Sequence, residues 1–522
     1  MKRKTRLGIL SLMFAIGLFS SLSILGSCSQ SGTTSSGTQQ NDSSVISSDS
    51  ESKGGSTSVS GSSSSSEPSE TVTVVFDCNG GVFSNGNITA ETIVQKGDSV
   101  SSPDEPTLEG CTFIGWTSIV DNEETLWNFD DSLTSDLKLY ALWEENFIFT
   151  EVEGGYSVSV KNIPEDGKVE IPGTYKEKPV IAIAENGFFG FSSLTSIVIP
   201  DSVTNIGSRV FEGCSSLENM TLPNMSLYLG YYFSASSYSY NSEYVPTSLK
   251  EVIITGGTSI ESNAFYGCNS LTSIMIPNSV TSIGSETFRG CSSLVSITVP
   301  DSVTNIGNSA FFDCISLKTL TFESGSQLTG VGDKAFANCI SLENVYYAGT
   351  IENWCGITFG DFANPMYYGQ HFYLLNENNE YEEVTEIVLP NTITSIGQYQ
   401  FYGFNNITSV VFPESVNSIG KGAFSDCSSL TSIVIPDSVT SIGDNAFASC
   451  SSLTSIVISD SVTSMGDLVF TGCGSLTIYC EASSQPSGWK LNWNLSDRPV
   501  YWSGEWSYMD GVPTPNVPIT ER

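Results

Sequence analysis

From about residue 190 to residue 473 the chain repeats itself, mostly every 23 residues. A unit that short cannot bury its own apolar side chains and needs a neighbour on each side. The clearest unit holds Phe424, Cys427, Leu430, Ile433, Ile435, Pro436, Val439, Ile442, Gly443 and Ala446, after which Phe447 begins the next. Aligned on the position of Cys427, the units place Phe191, Cys214, Cys268, Cys291, Cys314, Cys339, Phe404, Cys427, Cys450 and Cys473 at one site, which makes ten coils. One step is 25 residues long and two carry long insertions.

The residue types say how a coil is built. Ile433 and Ile435 are two apart in a strand, so both point inward. Pro436 has no N–H to donate and suits the first residue past the strand. Val439 and Ile442 form a second apolar edge, Gly443 permits a turn, and Ala446 with Phe447 fills a third side. Stacked at about 4.8 Å, such coils share one continuous core. The expected fold is therefore mainly β: a solenoid of about ten 23-residue coils over residues 146–479. The cysteine site reads as a buried small hydrophobe, because Phe191 and Phe404 occupy it too. Disulfides or a metal at the same site are the alternatives.

The pattern F-x-x-C-x-S-L-x-x-I-x-I-P-x-S-V-x-x-I-G resembles the BspA-type leucine-rich repeat over roughly two-thirds of the chain. That resemblance implies a curved solenoid with a parallel sheet on its concave face. It also implies a surface adhesin, some relatives of which recognise fibronectin or fibrinogen. The fold itself does not fix the ligand.

Ahead of the repeats, Lys2, Arg3, Lys4 and Arg6 precede an apolar run from Leu7 to about Leu25, then Gly26, Ser27 and Cys28. A plain signal peptide or a membrane-spanning helix would share the charged start and the apolar run. The small residues before Cys28 resemble a bacterial lipobox, which implies a signal peptide over 1–27 and a lipid anchor on Cys28. Residues 28–71 are serine-rich and read as a disordered tether.

Residues 72–145 then carry strand patterns, among them Val72, Val74 and Phe76. Asp77 to Gly81, Gly110 to Trp116 and Leu139 to Trp143 resemble an internalin-type B repeat, which implies a small β-grasp-like domain. Cys111 departs from that family's usual Tyr, so a Cys78–Cys111 disulfide is conceivable without being a family trait.

Two insertions, 224–247 and 346–384, break the repeat, and 480–522 read as a C-terminal cap and tail with Trp489, Trp493 and Trp502 as its lid. Insertions in solenoids map to loops on one side, often the binding side. These are aromatic: Tyr231, Tyr232, Tyr238 and Tyr240 in the first, Tyr367, Tyr368 and Tyr373 in the second. The acidic run Glu377, Glu380, Glu382 and Glu383 would steer a basic partner. Packing of these rings on the solenoid flank is the competing reading. A second candidate surface is the outward strand position, held by Val198, Met275, Thr298, Thr321, Tyr346, Val411, Val434 and Val457.

The chain holds 56 acidic and 20 basic residues, a net charge of −36. That deficit argues against nucleic acid, whose phosphates need Lys and Arg. With one histidine, His371, and no nucleophile or phosphate-loop motif, the reading is a non-enzymatic binding protein without a cofactor. It is expected on the bacterial cell surface, with a host, matrix or neighbouring-cell protein as partner. A glycan-binding module and a passive envelope spacer are the rivals.

Overall fold

The computed structural model describes residues 70–120 and 123–516. Cys28, the apolar run before it and nearly all of the tether lie outside the described residues.

The chain opens on a five-stranded sheet with the spatial order Thr89–Gln95, Thr71–Asp77, Leu137–Glu145, Cys111–Val120, Glu123–Leu126. Its central pair, Thr71–Asp77 with Leu137–Glu145, is parallel; the other pairs are antiparallel. Alternation in the first strand sends Val72, Val74 and Phe76 to one face, where they pack with Trp116, Leu139 and Ala141. Cys78 is buried in this core and Cys111 is half-buried; both are free thiols, so the conceivable pairing is not formed.

The solenoid follows. Ten strands come from the regular coils, from Ser196–Val198 to Thr477–Cys480. Within each ladder they pair in parallel, as when Ser296–Val299 aligns with Thr319–Phe322 and that strand with Asn344–Tyr347. The inward residues of each strand, such as Ile433 and Ile435, are buried in one core that runs from Phe147 to Trp493. A second, shorter row of strands lies at the Ser-Ile edge, for example Ser418–Ile419 against Ser441–Ile442. This edge is where Ile442 enters the core.

Five irregular coils join the ten regular ones. Their strands are Lys168–Glu170, Glu251–Ile254, His371–Leu375, Glu386–Val388 and Val500–Tyr501. Two of them correct the expectation that the insertions loop out to one side. Residues 224–247 contribute short helical turns, and Glu251–Ile254 then pairs on both sides, with Asn219–Leu222 and with Ser273–Met275. Residues 346–384 contain a helix, Ile351–Cys355, capped by the Thr350 hydroxyl accepting from the Asn353 amide. The strand Thr358–Phe359 then joins the edge row, and His371–Leu375 pairs with Asn344–Tyr347. Both insertions are turns of the stack with unfamiliar side chains.

The cysteine site is an inward one. Cys291, Cys314 and Cys450 are buried, and each thiol donates to the carbonyl of a phenylalanine 26 residues earlier: Phe265 at 3.2 Å, Phe288 at 3.2 Å and Phe424 at 3.1 Å. All the described cysteines are free. Burial pushes the Cys291 thiol up to about 12, so it stays protonated and unreactive at neutral pH. Beside these thiols the phenylalanines stack from coil to coil, with Phe311 and Phe336 centred 5.1 Å apart and nearly parallel.

Candidate functional site

Between the two inward positions of each strand sits one outward residue, and the parallel register lines these up. Val198, Thr221, Ile253 and Met275 are neighbours in one ladder. Thr298, Thr321, Tyr346 and Tyr373 follow in the next. Val388 and Val411 pair in a third, and Val434, Val457, Tyr479 and Tyr501 in a fourth. Exposure along the row is uneven. Met275, Val388 and Val434 are 58%, 59% and 69% exposed, whereas Val198, Tyr346 and Val457 are half-buried. Tyr479 and Tyr501 are buried. Tyr479 lies 5.4 Å from Trp506, whose indole N–H donates to the Cys480 carbonyl at 3.0 Å. The C-terminal hairpin Trp506–Met509 and Val512–Pro515 thus reaches the last rungs of the row, and Val388, Val411 and Val434 stay open.

Thr221, Ile253, Val388, Tyr479 and Tyr501 are the members that sequence reading missed, and Tyr373 was named only as an insertion residue. A signal existed for Val388, which is one period before Val411. One existed for Ile253 too, since Leu249, Val252 and Ile254 keep the spacing of Leu430, Ile433 and Ile435, although the irregular turn ahead of it hides the coil.

The tyrosines of the two insertions scatter. Tyr232 is 3% exposed, and burial pushes its hydroxyl up to about 12. It is a core residue, which corrects its place among the contact candidates. Tyr231 is half-buried, edge-on to Tyr228 and Tyr232. Tyr238 and Tyr240 are exposed, with Tyr238 edge-on to Tyr266 at 5.3 Å. Tyr367 stacks on Tyr402 at 4.9 Å and lines a notch with Asn405 and Asp426, on the turn that carries the cysteine site. Tyr368 is half-buried, and its hydroxyl donates to Asn338 at 3.3 Å. Tyr266 and Tyr402 hold the same place in their coils, each directly after the stacked phenylalanine. Tyr238 and Tyr367 therefore lean on the turn row, whereas Tyr373 lies in the sheet row, stacked on Tyr346 at 4.7 Å. Tyr381 stands edge-on to Tyr346 at 4.9 Å.

Next to this ring cluster the one histidine meets a carboxylate. His371 Nδ1 lies 2.7 Å from Glu383 Oε1, to which the Asn406 amide also donates at 2.7 Å. The hydrogen bond with His371 holds the Glu383 carboxyl below the usual range. Among the described residues no group of three or more His, Cys, Asp or Glu is placed to hold a metal. No helix among them is long and apolar enough to cross a membrane.

Residues 170–255, 258–363 and 377–485 match the BspA type leucine-rich repeat region, in six copies, and residues 73–142 match the Listeria-Bacteroides repeat domain. No curated protein matches the chain. Among solved structures, a leucine-rich repeat protein from Bacteroides ovatus is 26% identical, covering 69% of this chain and 98% of its own, with a TM-score of 0.32. A leucine-rich cell surface protein from Faecalibacterium prausnitzii is 23% identical, covering 66% and 95%, with a TM-score of 0.31. The pneumococcal vaccine antigen PcpA is 16% identical, covering 69% and 97%, with a TM-score of 0.30. Superpositions this loose leave the assignment to the repeat itself, which matches over more than half of the sequence: the chain belongs to the BspA-type leucine-rich-repeat family.

Proposed function

We propose that this protein is a bacterial cell-surface adhesin, tethered by lipid on Cys28, that binds a protein of a host, a matrix or a neighbouring cell through the outward row of its main sheet. The observation that carries this reading is the run of solvent-facing apolar residues at Val388, Val411 and Val434. A contiguous apolar strip rimmed by polar residues is what a protein interface looks like before its partner arrives. The insertion tyrosines that serve this surface are Tyr346, Tyr373 and Tyr381.

The test is capture of cell-surface and matrix proteins by the full chain and its variants. Val411→Ser with Val434→Ser should weaken capture of any specific partner by about tenfold or more. Their side chains point to solvent, so thermal unfolding should barely move. Tyr238→Ala with Tyr367→Ala should leave capture intact. If the tyrosine pair abolishes binding and the valine pair does not, the turn row is the contact surface.

The anchor has its own test. Cys28→Ala should move the protein from the membrane fraction to the soluble one, or stall its maturation, because acyl chains give stable attachment through about 0.8 kcal/mol per buried methylene. A variant that stays in the membrane fraction at wild-type level would show that the apolar run itself is the anchor.

A further inference from the structure

The outward row is interrupted at one place that leaves room for a guest. Strand Glu386–Val388 has a strand partner on one side only, Ser409–Val411. On its other side the preceding coil ends in an antiparallel hairpin of His371–Leu375 and Tyr381–Glu383. Between hairpin and strand lies a cavity of about 400 Å³. Leu374, Leu375 and Val388 supply apolar surface, and Glu382, Glu383 and Glu386 supply carboxylates. Two of these carboxylates are held in place: Glu383 by His371 and Asn406, and Glu386 by the Ser409 hydroxyl at 2.9 Å.

Apart from His371 against Glu383, little in the surrounding sequence offsets this charge. From Ala335 to Trp489 the chain has fifteen acidic residues and one basic one, Lys421. Lys421 is engaged by Asp361 at 3.1 Å. From the cavity the open valines continue through Val388, Val411 and Val434. Just past their strands stand the exposed carboxylates Glu414, Asp437 and Asp460. Glu481 stands with them, and burial together with Asp437 and Asp460 pushes its carboxyl up. Burial is the larger cause, and the like charge of Asp437 and Asp460 adds to it.

We propose that the cavity and the valine row form one docking site for a cationic amphipathic segment of a partner protein. A lysine or arginine side chain enters the cavity, its stem along Leu374 and Leu375 and its charge among Glu382, Glu383 and Glu386. Apolar residues of the same segment lie on Val411 and Val434, and further basic residues face Glu414 and Asp437. A net charge of −36 disfavours a second copy of this chain as the guest, since like charges repel. The inference rests on the reading of the outward row as the binding surface and adds the chemistry of what binds there.

The experiment titrates the full chain with three synthetic peptides: an amphipathic helix of Leu and Lys, its Leu and Glu counterpart, and a Ser and Lys peptide of equal charge. The Leu/Lys peptide should bind, more weakly as salt rises, and the Leu/Glu peptide should not. Glu382→Gln with Glu386→Gln should weaken the Leu/Lys peptide by about tenfold, and Val411→Ser with Val434→Ser by a similar factor. Asp104→Asn with Glu105→Gln, the same charge change on an exposed loop of the first module, should change nothing. If that control costs as much as the cavity pair, or if the Ser/Lys peptide binds as tightly as Leu/Lys, the attraction is diffuse and the site is refuted. If the valine variants lose the natural partner while the Leu/Lys peptide ignores every variant, the binding face stands and its cationic guest falls.

Discussion

Replacing Trp354 with alanine should split the thermal unfolding of the solenoid into two transitions. The phenylalanine stack runs through Phe265, Phe288, Phe311 and Phe336, then stops. It resumes at Phe401 and continues through Phe424, Phe447 and Phe470. In the coil between the two runs Asn364 stands at the phenylalanine place, and Trp354 fills the core beside it. It is fully buried, with Phe322 and Tyr347 on the earlier side, Phe404 on the later side, and Phe359 and Phe372 from its own coil. Its indole N–H donates to the Gln400 carbonyl at 3.0 Å, and the Gln400 side chain returns a bond to the Trp354 carbonyl. Asn364 adds two more bonds, to the carbonyls of Tyr399 and Gln400.

Truncating a buried aromatic costs about 3–5 kcal/mol. In a solenoid that loss falls on one interface rather than on the whole chain, because each coil contacts only its neighbours. Calorimetry should therefore show an earlier and a later array melting apart. Trp354→Phe keeps most of the apolar volume and loses the indole bond, at a cost of about 1 kcal/mol, and should preserve a single transition. One shifted transition for the alanine variant would mean that the main sheet, not this residue, couples the arrays.

The regular coils were legible because physics demands the same residue type at the same step. An inward strand position in a stack takes a buried apolar side chain, most often Ile, Val or Leu, so Ile433, Ile456 and Ile297 announce themselves. The irregular coils were not, because a coil can keep its backbone pairing while its side chains change. Glu251–Ile254 and His371–Leu375 pair as the others do, yet aromatic turns stand ahead of them where the Pro-x-Ser-Val edge is expected. Composition likewise marked the tyrosines of 224–247 without telling Tyr232, which is in the core, from Tyr240, which is on the surface. The cavity beside Glu386 depends on which strands do not pair, and no residue type records that.

Gly443, which the repeat marks as permitting a turn, leads to the second test. A turn does follow it, though not through a left-handed backbone: Gly443 is not among the residues with positive φ. What it lacks is space. Its N–H donates to the Ile419 carbonyl of the preceding coil at 2.8 Å, and a β-carbon there would lie 2.6 Å from the Lys421 nitrogen and 2.7 Å from the Gly420 carbonyl carbon. Both atoms are backbone, so no rotamer relieves the clash. Gly307 and Gly466 are caught in the same way, with nearest backbone atoms at 2.5 Å and 2.3 Å.

Gly443→Ala should therefore push two coils apart and destabilise the later array by about 1–3 kcal/mol. This is a net loss even though alanine narrows the unfolded ensemble by about 0.4–1 kcal/mol in the opposite sense. Gly474 isolates that second effect. It too lacks a positive φ, a β-carbon there would meet nothing within 4 Å, and its equivalents Ser428 and Ser451 already carry one. Gly474→Ala should be neutral or raise the midpoint slightly while Gly443→Ala lowers it, both read by thermal unfolding of the full chain. Equal shifts for the two would remove the close approach of coils as the reason for the glycine.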